Sequence, residues 1–334
     1  MDIETRSTLT KKLFPNRFYD NFFISEYGKL EALRATRYNT NFSLIVATID
    51  GFGEQELVED REGLEFLKKA AVTVVESIRN CDIAGLSDDR QVQIILPETD
   101  YFGSLIALRK LAKALNTLAM KEKSPVRLYF SQATFPKDGR GYGELLSTAL
   151  KRAVEKRGSL WEKHGFKNKL FWEIIGELSG KNYKGFENAS FEAGAGQGIS
   201  EFFIDQINEL IIKEIVRTPQ KRGILYFASK TIAASQPFLK SLASAPTMAT
   251  KIFLVGEAER DVLEIKNATP IFLDDPRLRE AFFTFFLNED SGYAIICKES
   301  WGATYSCFHS SDKYLVEGLI AKFQSEYTLQ EQLG

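Results

Sequence analysis

Residues Phe42 to Ile49 read FSLIVATI, a near-continuous apolar run of strand length, the mark of a strand buried on both faces. Around it the pattern alternates between periods. Residues 18 to 38 read as a helix ending in a basic face with Arg34 and Arg37. From Gly63 to Asn80, Leu64, Leu67, Ala71, Val74, Val75 and Ile78 recur at helical spacing. Two short apolar runs follow, Ile83 to Leu86 and Val92 to Leu96, joined by Ser87-Asp88-Asp89-Arg90. Asp and Ser tolerate turn conformations, so this pair predicts a β-hairpin. A helix over Tyr101 to Thr117, a strand over Val126 to Phe135 and a helix over Tyr142 to Lys156 complete an α-β-α-β-β-α-β-α order. That order predicts layered α/β or α+β architecture.

The periodicity then breaks. Residues 179 to 198 hold Gly180, Gly185, Gly194, Gly196 and Gly198 among Asn, Ser and Glu, a linker composition. Gly194-Ala195-Gly196-Gln197-Gly198 lacks the Lys-Ser/Thr ending of a phosphate loop, and no clear strand precedes it. The expected division is therefore a first domain over 1–175, a linker over 176–198 and a second α/β domain over 199–334. The second domain opens on a helix after Ser200, with Phe203, Ile207, Leu210, Ile211 and Ile215 as its apolar stripe. Strands at Ile224 to Phe227, Ile252 to Val255, Phe282 to Leu287, Tyr293 to Cys297 and Thr304 to Phe308 follow, with a last helix from about Lys313 to Tyr327. His309, Ser310, Ser311 and Asp312 lie too close in sequence to be assumed a triad, and Ser311 or Asp312 suits a helix cap.

Composition narrows the chemistry. With 43 Lys+Arg against 45 Asp+Glu, the chain lacks the charge of a protein held on nucleic acid by electrostatics. His164 and His309 with Cys81, Cys297 and Cys307 are too few for a Cys/His zinc cage. Cysteines spaced as unpaired thiols, and a start without a signal-peptide pattern, predict a cytoplasmic setting. No apolar run reaches the ~18 residues of a membrane span. The 26 Phe residues predict large aromatic cores and imply nothing about chemistry.

Several ordered pieces carry a family resemblance: Leu13 to Phe18, Ser43 to Phe52 (SLIVATIDGF), Arg79-Asn80-Cys81-Asp82, Ile94 to Asp100 (IILPETD) and Ala133 to Gly139 (ATFPKDG). In order and spacing, residues 9 to 158 resemble the GGDEF domain of diguanylate cyclases, which condense two GTP into cyclic di-GMP in bacterial signal transduction. The resemblance implies a palm-like antiparallel sheet packed by helices. It also places the signature Gly-Gly-Asp/Glu-Glu-Phe on Asp88-Asp89-Arg90-Gln91-Val92. Two glycines that admit GTP become aspartates, which add side chains and repel a triphosphate. The acidic metal-holding position becomes Arg90, the second acidic position Gln91, and only the apolar last position persists as Val92. The other metal-binding aspartate falls at Thr48, the lysine at Gly53, and the guanine-reading positions at Glu56 and Leu64. Metal-assisted phosphoryl transfer needs oxygen ligands on a hard cation, so these losses predict a pseudo-enzyme with no catalytic residues, no metal and no cofactor.

The family also carries a product-inhibition site on Arg-x-x-Asp, which falls on Arg79 and Asp82, with Lys110 nearest the basic residue that completes it. A guanidinium can fork onto a guanine edge or a phosphate, and a carboxylate can accept from guanine N–H groups. The same two residues also suit an ion pair or cap at a helix end, worth ~0–1 kcal/mol. Both readings stay open on sequence. The second domain is more diffusely similar to DICT-type sensor domains. The expectation is a cytoplasmic signalling protein whose ligand is cyclic di-GMP, with a protein-interaction or dimerisation module that binds no nucleotide as one alternative and a residual diguanylate cyclase as another; nucleic acid and membrane are not expected partners.

Overall fold

The computed structural model describes residues 14–50, 61–87, 91–179, 199–232, 237–258, 267–299 and 304–329. The chain divides into two units, residues 1–157 and 158–334.

In the first unit the elements are β1 (Phe18–Tyr19), α1 (Asn21–Tyr38), β2 (Phe42–Asp50), α2 (Arg61–Ser77), β3 (Ile83–Leu86), β4 (Gln91–Pro97), α3 (Tyr101–Lys121), β5 (Arg127–Phe135) and α4 (Tyr142–Arg157). The strand order is β1-β3-β4-β2-β5. All neighbours are antiparallel except the short β1, which runs parallel to β3. The apolar run over Phe42 to Ile49 is central because it supplies both cores. Ile45, Ala47 and Ile49 face the layer of α2 and α3, while Phe42, Leu44 and Val46 face that of α1 and α4. A period of two in an all-apolar strand requires cover on both sides. α1 and α4 approach closely at Gly28: a Cβ there would sit 2.2 Å from the Tyr142 ring. Only glycine admits that contact without displacing the helix.

The second unit begins earlier than the sequence suggested. α5 (Leu160–Lys163), a 3-10 turn (Phe166–Asn168) and α6 (Phe171–Ser179) belong to it, so residues 158–175 move out of the first domain. The reason is aromatic. Trp161 lies so close to Gly318 that a Cβ there would be 2.4 Å from its ring. Phe171 packs edge-on against Phe283 and Phe285. Only their partners reveal where residues 158–175 dock. Of the expected linker over 176–198, residues 176–179 belong to α6 and residues 180–198 lie outside the described residues.

Its remaining elements are β6 (Ile199–Ser200), α7 (Glu201–Arg217), β7 (Gly223–Ile232), α8 (Pro237–Ser244), β8 (Thr250–Ala258), β9 (Thr269–Phe272), a 3-10 turn (Pro276–Arg279), β10 (Ala281–Asn288), β11 (Gly292–Glu299), β12 (Thr304–Ser310) and α9 (Lys313–Glu326). They build a mixed sheet, β6-β12-β11-β10-β7-β8-β9, with β7, β8 and β9 parallel. One face meets α7 and α8 through Leu225, Phe227, Ile252 and Leu254. Phenylalanines concentrate with α9: Phe171, Phe283, Phe285 and Phe323 are all fully buried. Asp312 caps α9 by accepting from the Tyr314 and Leu315 N–H groups, and its carboxylate also accepts from Leu160 N–H.

One cysteine expectation is corrected. Cys297 and Cys307 are paired as a cross-strand disulfide, with Cα atoms 4.2 Å apart in the β11–β12 register. Ten residues separate them in sequence, and the antiparallel return of the chain brings them opposite one another. No helix among the described residues is long and apolar enough to cross a membrane.

Next to the aromatic core, Trp172 Nε1–H donates to the Tyr327 hydroxyl, which donates to Asp275 at 2.7 Å. Arg277 donates to both Asp275 oxygens and lies 4.9 Å from the Trp172 ring centroid. The Arg277 hydrogen bonds hold the Asp275 carboxyl down at about 2, against the opposing effect of burial. A folded value below the unfolded one means stabilisation that is present above about pH 4 and lost as pH falls through about 2. Because Arg277 is half exposed, the contribution is on the order of 1–2 kcal/mol. Tryptophan-monitored urea midpoints of wild type should fall across that acid window, and Asp275→Asn should remove that segment of the pH dependence. An unchanged acid limb in the variant would contradict the assignment.

Candidate functional site

The Arg79 segment forms at the end of α2, where the chain turns into β3. Asp82 closes that turn: its carboxylate accepts from the Arg79 backbone N–H at 2.8 Å, and its own N–H donates to the Arg79 carbonyl at 3.1 Å. The Arg79 guanidinium folds back on the same carboxylate, with Nε 3.3 Å from both oxygens and one terminal nitrogen 3.1 Å from Oδ1. That terminal nitrogen also donates to Thr99 Oγ1 at 2.6 Å. The hydrogen bond to Asp82 raises the Arg79 pKa still further. Asp82 is only 3 % exposed at its side chain, whereas Arg79 is 57 % exposed.

Lys110 reaches the same turn from α3. Its Nζ donates to the Ser77 carbonyl at 2.8 Å, satisfying an acceptor at the C-terminus of α2. Arg17 donates to the Arg79 carbonyl and to Asn80 Oδ1. The structure therefore brings Arg79, Asp82 and Lys110 to one helix end, with a buried carboxylate and two exposed cations. Tyr27 of α1 borders it: burial first, then the charges of Glu31 and Asp82, raises its hydroxyl pKa. Arg17 falls in the Leu13 to Phe18 piece of the resemblance but carries no assigned role there, and nothing local links it or Tyr27 to residues 79–82. Only the β1–β3 pairing and the packing of α1 do so.

The corner to which the resemblance assigns the signature lies partly within the described residues. Asp88, Asp89 and Arg90 lie outside the described residues, as do Gly53 and Glu56. Gln91 opens β4, and in the β2–β4 register it stands directly opposite Thr48. The two positions where the resemblance implies carboxylates thus meet across the sheet as a neutral amide and a neutral hydroxyl. Val92 is buried in the core beneath. Asp50, at the end of β2, is tied to Arg157 at 3.0 Å, and that guanidinium lies 4.2 Å from the Tyr129 ring centroid. Leu64 is a half-buried residue of α2. A divalent cation needs several oxygen ligands with negative charge. Thr48, Gln91 and an arginine-paired Asp50 do not fit it. Among the described residues, no group of three or more His, Cys, Asp or Glu is placed to hold a metal.

Residues 151–169 carry seven basic side chains, Lys151, Arg152, Lys156, Arg157, Lys163, Lys167 and Lys169, and several of them are engaged within the fold. Arg152 binds Asp138, Lys156 donates to the Phe130 carbonyl, and Lys169 pairs with Glu177. A phosphate there would have to displace those partners.

No protein-family model and no curated protein matches the sequence. Solved structures do. The chain is similar to the GGDEF domain of TpbB from Pseudomonas aeruginosa, at 16 % identity over 42 % of this chain and 92 % of that one, with a TM-score of 0.35. It is similar to the GGDEF domain of DgcB from Caulobacter crescentus in complex with c-di-GMP, at 12 % identity over 44 % and 89 %, with a TM-score of 0.37. It is also similar to the active GGEEF domain of a diguanylate cyclase from Vibrio cholerae, at 13 % identity over 41 % and 90 %, with a TM-score of 0.36.

Proposed function

We propose that the first unit is a GGDEF-type module without cyclase chemistry, which binds cyclic di-GMP at the turn of Arg79, Asp82 and Lys110. The observation that carries the reading is the Arg79 guanidinium. It is more than half exposed, yet oriented by a buried carboxylate on one edge and by Thr99. A guanidinium held this way loses little freedom when it meets a phosphate or a guanine edge. In this arrangement Asp82 acts by positioning Arg79, since its own oxygens are turned inward. Lys110 adds a second cation at the same helix end. The neutral Thr48–Gln91 pair supports the loss of catalysis, because neither can hold the metal that phosphoryl transfer needs. We assign the second unit a sensory or interaction role, in keeping with its diffuse resemblance to DICT-type sensors.

Titration calorimetry of the full chain with cyclic di-GMP tests the binding. Wild type is expected to give saturable heat, Arg79→Ala to lose at least about tenfold in affinity, and Arg79→Lys to recover only part of it. No heat with wild type at high micromolar ligand would end this reading. Incubation with GTP and Mg²⁺ should yield no cyclic dinucleotide; turnover would overturn the loss of catalysis.

A second reading, a protein-interaction module that binds no nucleotide, is favoured by the exposed apolar stripe of α1. It predicts complexes that Arg79→Ala leaves unchanged.

A further inference from the structure

Helix α1 is amphipathic in an unusual sense, because both of its faces carry apolar residues. Ile24, Gly28, Glu31, Ala32 and Ala35 are buried against the domain. On the opposite side, Phe23, Glu26, Leu30, Leu33 and Arg37 are all exposed, Leu30 at 61 % and Leu33 at 70 %. Their spacing of three, four, three and four residues is the 3.5-residue period of a coiled-coil seam. Phe22, 72 % exposed, widens the stripe at its N-terminal end. From Phe23 to Arg37 the seam is about 21 Å long. Exposed positions at the same period also occur on α7, Phe203, Gln206, Leu210, Lys213 and Arg217, but its charged positions there, Lys213 and Arg217, are both basic and do not complement one another.

The charges on the seam decide what can cover it. In a parallel pair of α1 helices, Glu26 would face Glu26 and Arg37 would face Arg37, two repulsive layers. In an antiparallel pair, equivalent seam positions meet with residue numbers summing to 63. Leu30 then packs on Leu33 of the second copy and Leu33 on its Leu30, while Glu26 faces Arg37 at both ends. We propose that the exposed face of α1 is a self-association surface, on which a second copy of this chain docks antiparallel with two leucine layers flanked by two Glu26–Arg37 pairs. The present partners of these charges do not oppose this. Glu26 pairs with Lys29 at 2.6 Å between exposed side chains, and Arg37 lies over the exposed Tyr38 ring. Such surface contacts exchange at little cost. A seam of five positions buries less than the ~1,000 Å² of a stable interface, so the dimer is reversible and concentration-dependent. The proposal does not rest on nucleotide binding, and its test uses nucleotide-free protein.

Sedimentation velocity of the full chain across a concentration series should show a monomer–dimer equilibrium. Leu30→Glu and Leu33→Glu should each raise the dissociation constant at least about tenfold. Both positions are exposed, so circular dichroism and thermal midpoints should stay close to wild type. Glu26→Arg and Arg37→Glu should each weaken the dimer, and the double exchange should restore it to within about threefold of wild type. A chain that remains monomeric into the high micromolar range overturns the proposal. So does a dimer indifferent to Leu30→Glu, and so does a double exchange that fails to restore association.

Discussion

Alanine at Phe323 is expected to destabilise the second unit by about 3–5 kcal/mol. The ring is fully buried, with centroids of Phe171, Phe283, Tyr226 and Tyr327 all between 5.1 and 5.4 Å away. Removing it forfeits the transfer free energy of the ring and leaves a cavity. The site collapses poorly, because Tyr226 and Phe283 sit on paired strands and cannot follow α9 inward. Phe323→Leu keeps most of the volume and should cost under about 2 kcal/mol. The measurement can be made selective. All three tryptophans, Trp161, Trp172 and Trp301, fall in residues 158–334 and none in 1–157. Their fluorescence in urea follows the second unit alone, which matters because a two-unit chain need not unfold in one step. A lowered midpoint at unchanged slope is expected. A loss below about 1 kcal/mol would show that Phe323 does not organise this core.

Asp138→Ala should cost the first unit about 3–5 kcal/mol, for an electrostatic reason. The Asp138 carboxylate is buried after β5, accepts from Thr134 N–H at 2.8 Å, and is held by both terminal nitrogens of Arg152 at 2.7 Å. Truncation takes both carboxylate contacts from a mostly buried guanidinium, which keeps its bond to the Gln132 carbonyl, and removes the acceptor of the Thr134 N–H. Burial alone would raise the Asp138 pKa, but the Arg152 and Thr134 hydrogen bonds outweigh it and the net direction is down. The sign follows: the pair stabilises above the ordinary carboxylate range near pH 4 and fades as acid protonates the folded state. Asp138→Asn, which keeps the shape without the charge, should lie between. Amide exchange in β5 and α4 reports the effect without interference from the second unit. Equal protection in wild type and Asp138→Ala at neutral pH would refute it.

These residues also show how far the chain could be read in advance. The β2 run announced a strand covered on both sides, and the two cores that divide its residues bear that out. The turn residues Ser87-Asp88-Asp89-Arg90 announced the hairpin, and β3 and β4 pair antiparallel on either side of it. Local periodicity is enough for such elements, since each answers to a single burial pattern. Residues 158–179 were misplaced because short helices on an aromatic surface have no period of their own to signal it. The Cys297–Cys307 pairing was missed for a related reason: register between β11 and β12 is a property of the sheet.

The candidate site divides in the same way. The resemblance pointed to Arg79, Asp82 and Lys110 as a candidate site and implied carboxylates at positions 48 and 91, where the chain has Thr48 and Gln91. For α1 the sequence pattern gave a helix with a basic end at Arg34 and Arg37, and no apolar seam. Tertiary structure decided that Thr48 and Gln91 face one another, that Asp82 is spent inward on Arg79, and that Leu30 and Leu33 remain uncovered. The physical reason is range. Propensity and periodicity act over a few residues and are written into the chain. Burial, ion pairing and strand register depend on partners distant in sequence, as Arg17 is from Asn80, and exist only once the sheets have closed.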